Sequence, residues 1–218
     1  MIKYVFFDVA GTLVYKPKLF YFIQRILQRN HHHISQSIIQ HHYSILSKNT
    51  TFPAKTTKSF YDMFNANLLQ LLGIQPSPTL LIEIYNECNN LHWEAFPDTS
   101  VLRSITLPVG IISNWDDTLN PLLASLFSVP FWKVYSSSDI GLAKPDIRMY
   151  QHVVKDIGCA PSEIVYIGDS LDLDIIPAST IGLKTILLDR NNEYIHFKGP
   201  KISSLSEIWK TFGSGADF

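Results

Sequence analysis

Cysteine is nearly absent: Cys88 and Cys159 are the only two in 218 residues. They are far apart and too few for a disulfide framework or a zinc site, so both read as reduced thiols inside the cell. An excess of either charge is also lacking, since 18 Lys and Arg face 19 Asp and Glu for a formal net charge of -1. Nothing electrostatic therefore predicts nucleic acid or an anionic membrane as a partner, and small-molecule chemistry is left open. Long apolar runs are missing as well, none approaching the ~20 residues of a membrane span. The apolar N-terminal segment carries Asp8 and ends in a turn, unlike the core of a signal peptide, so a cytoplasmic location is expected. With 46% hydrophobic and 17% charged residues the chain is far from the composition of disorder. Its length suits one domain, or one domain carrying an insertion.

Five short apolar or β-branched runs, at 3–7, 109–112, 131–135, 164–167 and 185–188, read as buried strands. Amphipathic stretches of helical length lie among the later ones: Leu119 to Phe127, Asp146 to Ile157 and Leu171 to Ile181. Strands alternating with helices predict an α/β domain with a doubly wound parallel sheet. The first two runs are separated by roughly a hundred residues, where a crossover needs only about a dozen. Helical periodicity at 20–27, 60–72 and 80–91 fills the gap, which predicts a helical cap domain over 15–94 inserted into a core of 1–14 and 95–218. Pro17 and Phe96-Pro97-Asp98 mark the linkers. His31, His32, His33, His41 and His42 fall in the insertion and read as polar surface, because adjacent helical residues point about 100° apart and cannot all face one ion. Toward the C-terminus, Ser204 with Glu207 three residues on predicts a capping box for a helix over 204–212, with Gly213-Ser214-Gly215 as a frayed tail.

Ligands of doubly wound sheets bind outside the carboxyl ends of the strands, so the residues just past each run carry the functional signal. These are Asp8 with Ala10-Gly11-Thr12, Ser113-Asn114, Gly141-Leu142-Ala143-Lys144-Pro145, and Gly168-Asp169-Ser170 with Asp172 and Asp174. Each alone has an ordinary structural explanation as an Asx-turn, an N-cap or a helix start.

Together and in this order, FFDVAGTLV, IISNWD, GLAKPDIRMY and IGDSLDLD resemble the four motifs of the haloacid dehalogenase-like superfamily, whose members are mostly phosphatases. The resemblance spans the whole chain, the inserted cap included. It implies that Asp8 is a nucleophile forming an aspartyl-phosphate. Thr12 and Ser113 would hold phosphoryl oxygens, and Lys144 would offset developing charge. Gly11 and Asn114 would contact substrate. Mg²⁺ would be bound by Asp8, the Ala10 carbonyl and Asp169, with Asp174 as a further ligand or supporting residue. A cation is physically required there, because an attacking carboxylate and a phosphate repel each other.

Ala10 departs from the pattern. The family's phosphatases place an aspartate there as general acid and base, a contribution of about 10²–10⁴-fold. Three readings follow: a hydrolase of a small phosphorylated metabolite whose leaving group needs little protonation, a 2-haloacid dehalogenase, and a binding or regulatory protein. Phosphonoacetaldehyde hydrolase is similar in its Asp-x-Ala-Gly-Thr, but its cap lysine has no evident counterpart among Lys48, Lys55 and Lys58. The dehalogenases lack the Gly-Asp of the fourth motif, which Gly168-Asp169 keeps. Retention of Asp8, Lys144 and Asp169 together favours an enzyme. Phe20, Tyr21, Phe60, Tyr61, Phe64 and Trp93 are candidates for an apolar lid or for the cap's own core, and Trp115 and Asp116 for the lining of the site entrance.

Overall fold

Tyr4-Val-Phe-Phe7 is an apolar run too short for a helix, and its last three residues are fully buried, which is the signature of a strand covered on both faces. In the computed structural model, which describes residues 1–50, 53 and 56–211, it forms β1 (Tyr4–Phe7). Around it stand β4 (Val109–Ser113), β5 (Lys133–Ser136), β6 (Ile164–Gly168), β7 (Lys184–Leu188) and β8 (Lys201–Ile202). They make a six-stranded parallel sheet in the order β5-β4-β1-β6-β7-β8. After β5 the chain crosses back over β4 and β1 to add β6, so strand order switches at β1. A second, two-stranded sheet pairs β2 (Val14–Tyr15) with β3 (Glu94–Ala95).

The predicted doubly wound α/β architecture is thus observed, with the five expected strands each within two residues of their predicted ends. β8 escaped the sequence reading because it is only two residues long. The helices accompanying the sheet are α5 (Leu119–Leu126), α6 (Ser137–Ile140), α7 (Ile147–Ile157), α8 (Ile176–Thr180) and α9 (Ile208–Thr211). One face of α7 buries Met149, Tyr150 and Val153 against Phe6, Ile112, Ile164 and Tyr166 of the sheet. Each fully buried aliphatic or aromatic side chain of this kind contributes about 1.5–3 kcal/mol relative to exposure.

The helix expected over Leu171 to Ile181 is broken. Residues Leu171–Ile175 form a single π turn before α8 begins. Pro177 has no N–H to offer the Leu173 carbonyl four residues back, and the Tyr150 hydroxyl donates to that oxygen instead, at 2.7 Å. At the C-terminus the capping pattern is displaced by one residue. Ser204 Oγ accepts from Ser206 N, and the Glu207 carboxylate accepts from the backbone and hydroxyl of Ser203. Phe212, Gly213-Ser214-Gly215 and, in the insertion, Lys55 lie outside the described residues.

The chain divides into two compact units, one containing Met1–Tyr15 and the residues from Ala95 onward, the other Lys16–Thr50 and Thr56–Glu94. The second holds α1 (Leu19–Arg29), α2 (Gln36–Lys48), α3 (Lys58–Leu71) and α4 (Pro78–Cys88). Ser35, Thr57 and Ser77 each cap the helix that follows, accepting from the N–H three residues on, and Pro78 occupies the first turn of α4. Ile23, Ile26 and Leu27 of α1 pack with Ile39, Leu68, Leu69, Leu80 and Ile84 in a core of its own. α2 was not foreseen, since Ile39 is its single fully buried side chain and His41-His42 interrupts its pattern. His31, at φ 63°, opens the turn between α1 and α2, so the triplet His31 to His33 is not helical. Burial pushes the Cys88 thiol up to about 12, which keeps it protonated and inert. Among the described residues no helix is long and apolar enough to cross a membrane.

Candidate active site

Sheet register decides what meets at the switch point. Phe7 pairs with Ile111 on one side and Ile167 on the other, so Asp8 emerges level with the carboxyl ends of β4 and β6. Ser113 ends β4, and Asp169 follows β6 directly. Lys144 arrives from the loop between α6 and α7. Asn114 fixes that loop, its amide accepting from Lys144 N at 2.7 Å and donating to Lys144 O at 2.9 Å. The amide of Asn114 is therefore engaged on backbone, and its supporting effect on the site acts through Lys144.

Lys144 Nζ donates to Asp8 Oδ1 at 2.6 Å, to Asp174 Oδ1 at 2.7 Å and to the Tyr166 hydroxyl at 3.2 Å, which accounts for all three of its protons. Ser113 Oγ donates to the same Asp8 oxygen at 3.2 Å. Asp174 Oδ2 accepts from Ser170 N, and Tyr166 shares its hydroxyl proton between Asp174 Oδ1 and the Ile112 carbonyl. All of this is buried, with Asp8, Lys144 and Asp174 at 5%, 3% and 1% exposure. Burial raises the Asp8 carboxyl above its ordinary range, with the Asp174 charge adding to it against the pull of Lys144. For Lys144 burial works downward, but the carboxylates of Asp174 and Asp8 override it and hold the ammonium above its usual value.

The two glycines of the site are there for space. Gly11 has φ 82°, and a Cβ on it would stand 2.5 Å from Asp169 Oδ2; a Cβ on Gly168 would stand 2.4 Å from Asp174 Cγ. The site thus packs Gly11 against Asp169 and Gly168 against Asp174. Ala10 is exposed, and Asp8 is the one titratable side chain in the turn from Asp8 to Leu13. The Thr12 hydroxyl is fully buried and has no hydrogen-bond partner, the sole side-chain polar atom of that kind among the described residues.

Oxygens of Asp8, Asp169 and Asp174 lie within 4.8 Å of one another, the one group of metal-ligand side chains found among the described residues. Asp172 is exposed and outside it, and the cap histidines form no such group. Within the cluster three carboxylates face one ammonium, an excess of two negative charges. Hard carboxylate oxygens with that charge fit a divalent cation such as Mg²⁺.

Two participants were missed from the sequence. Tyr166 sits inside an otherwise aliphatic strand and read as core. Arg190 was overlooked although it lies two residues past β7, where the rule applied at the other strand ends would have found it. Its guanidinium donates to the carbonyls of Gly11 (3.3 Å) and Thr12 (2.8 Å) and pairs with Asp98 at 2.7 Å.

A parallel sheet that brings a buried Asp–Lys–Asp cluster to its switch point defines a class of α/β enzymes. The haloacid dehalogenase-like hydrolase family matches residues 2–182, and the chain belongs to it. It is 30% identical over 113 residues to haloacid dehalogenase-like hydrolase domain-containing protein 3 of Danio rerio, covering 50% of this chain and 47% of that protein. Against the glyceraldehyde 3-phosphate phosphatase of Methanopyrus kandleri it is 26% identical over 136 residues, 56% of this chain and 57% of that one. The chain thus spans about half the length of the curated relatives it matches. Among solved structures, the HAD hydrolase YfnB of Bacillus subtilis, determined with magnesium bound, superposes with a TM-score of 0.69 at 18% identity, covering 96% of this chain and 97% of YfnB.

Proposed function

We propose that this chain is a Mg²⁺-dependent phosphoryl-transfer hydrolase acting through Asp8 on a small phosphorylated metabolite with a good leaving group, residues 15–94 serving as its cap domain. The observation that carries the reading is the Asp8 carboxylate, buried and held on one oxygen by Lys144 and Ser113 beside Asp169 and Asp174. That arrangement fixes the orientation of the carboxylate at the carboxyl ends of the strands, where doubly wound sheets bind their ligands. Phosphatase activity among the curated relatives and magnesium in YfnB support the same assignment.

In this reading an Asp8 oxygen attacks phosphorus, and the bond to the leaving oxygen breaks with its electron pair passing to that oxygen. Lys144 and Ser113 stabilise charge on the phosphoryl oxygens, and Thr12, whose hydroxyl lacks a partner, gains one there. Asp8, Asp169, Asp174 and the Ala10 carbonyl would hold the cation, which when bound would neutralise phosphate charge. Gly11 admits the close approach of turn and ligands. Water then attacks phosphorus, the bond from phosphorus to the Asp8 oxygen breaks with its electron pair returning to the carboxylate, and the water proton leaves with the released phosphate.

Ala10 sets the limit on substrate. With no carboxylate at that position, the leaving oxygen departs without a protonating partner from the motif, so leaving groups of low basicity, such as acyl or aryl oxygens, are favoured. The test is Mg²⁺-dependent hydrolysis of acetyl phosphate and an aryl phosphate by the wild type, Asp8→Asn and Ala10→Asp. Wild-type turnover abolished in Asp8→Asn, with Ala10→Asp extending hydrolysis to alkyl phosphates by about 10²–10⁴-fold, supports the reading. Silence in all three variants refutes it in favour of a binding or regulatory role.

A further inference from the structure

The turn that follows Asp8 is closed by its own backbone: the Val9 carbonyl accepts from Thr12, Leu13 and Val14, and Gly11 N donates to Val14 O. The carbonyls of Gly11 and Thr12 instead go to Arg190. Nε donates to Gly11 O and Nη2 to Thr12 O, while Nη1 and Nη2 hold the two oxygens of Asp98 at 2.7 and 3.0 Å. Four of the five guanidinium protons are thereby assigned. The Phe96 ring centroid lies 3.9 Å from the guanidinium carbon, and the same ring stacks on Tyr15 with centroids 4.4 Å apart. Asp98 is itself anchored by Ser204 Oγ and Leu205 N.

This fork does more than tie a loop to the core. Gly11 lies so close to Asp169 that a Cβ would collide with its carboxylate, so the position of the Gly11 carbonyl and the placement of Asp169 are coupled through contact. Ala10 is the residue immediately before. We infer that Arg190 is a positioning residue for the cation site: by holding the Gly11 and Thr12 carbonyls it sets the spacing of the Asp8–Leu13 turn against Asp169, and with it the affinity for Mg²⁺. The inference rests on the reading that the carboxylate cluster binds Mg²⁺. A lysine cannot reproduce it, because one ammonium lacks the planar fork that reaches two carbonyls and a carboxylate together.

The test is the Mg²⁺ dissociation constant of the full chain by titration calorimetry, a readout independent of turnover, for the wild type, Asp169→Asn, Arg190→Lys and Arg190→Gln, with circular dichroism on each. Outer partners of metal ligands alter affinity by about 10–100-fold, so Arg190→Gln is expected to weaken Mg²⁺ within that range and Arg190→Lys to fall between it and the wild type. A native fold with wild-type Mg²⁺ affinity in Arg190→Lys and Arg190→Gln, while Asp169→Asn loses the ion, overturns the inference and leaves the cation site standing. A wild type that does not bind Mg²⁺ overturns both. If Arg190→Gln does not fold, Arg190→Lys decides: unchanged affinity refutes the positioning role, and at least a several-fold loss that added guanidinium ion does not worsen supports it.

Discussion

Replacing Lys144 by methionine removes the one ammonium from the buried cluster while keeping most of its volume. Asp8 and Asp174, at 5% and 1% exposure, are left as neighbouring carboxylates without their shared partner. Removing one member of such a buried pair typically costs about 3–5 kcal/mol, a fifth or more of the roughly 5–15 kcal/mol that holds a domain folded. With a urea slope of about 3 kcal/mol/M, the unfolding midpoint of the α/β unit falls by about 1–2 M. Tryptophan fluorescence is suited to the measurement, since Trp115, Trp132 and Trp209 lie in that unit and Trp93 in the other. Two comparisons separate charge from packing. Saturating Mg²⁺ returns part of the loss, about 2.7 kcal/mol at a hundred times its dissociation constant. The triple variant Asp8→Asn, Lys144→Met, Asp174→Asn is less destabilised than Lys144→Met alone, because the uncompensated charges are gone. A midpoint shift worth under about 1 kcal/mol in the single variant, or a triple variant no better than the single, refutes the electrostatic account of the cluster.

Other outcomes follow from the same geometry. Tyr166→Phe deletes the hydroxyl that accepts from Lys144 and donates to Asp174, and is expected to cost about 1–3 kcal/mol in urea unfolding with the fold retained. Gly168→Ala drives a methyl to 2.4 Å from Asp174 Cγ, so Mg²⁺ affinity measured by calorimetry is expected to fall at least tenfold. Burial works to raise the Asp98 carboxyl, but hydrogen bonds from Arg190, Leu205 N and Ser204 outweigh it and hold it below its ordinary value. The unfolded chain then binds the proton more readily, so this stabilisation is complete above about pH 4 and lost as pH falls through the folded value; acid titration of Asp98→Asn is expected to show a flatter decline there.

The sheet was legible because strands covered on both faces need uninterrupted apolar residues, and Val109 to Ile112 and Ile164 to Ile167 supply them. The strand-end carboxylates were legible for the opposite reason, as polar residues terminating such runs. What the pattern did not contain was partner choice. Asn114 reads as a substrate contact in the sequence, and the pattern gives no sign that its amide also accepts from and donates to the Lys144 backbone. Asp172 and Asp174 are two residues apart on one helical turn and so point to opposite sides, the first to solvent and the second against Lys144. Tyr166 was concealed because a tyrosine amid isoleucine and valine satisfies the apolar pattern whether or not its hydroxyl is used.

β1 stands between β4 and β6, with Val5 beside both Val109 and Val165. During synthesis this strand leaves the ribosome about a hundred residues ahead of its earliest partner, at roughly 5–20 residues per second. For several seconds its three most apolar residues have no sheet to join, and closing so long a loop costs about 2 kcal/mol more than closing an ordinary crossover. In the folded chain β2 and β3 hold the two ends of the insertion side by side, so once that pair has formed the loop still to be closed is far shorter than its residue count. The insertion, a helical bundle with a core of its own, in this way brings β1 and the rest of its sheet closer along the chain than about a hundred residues of open loop would.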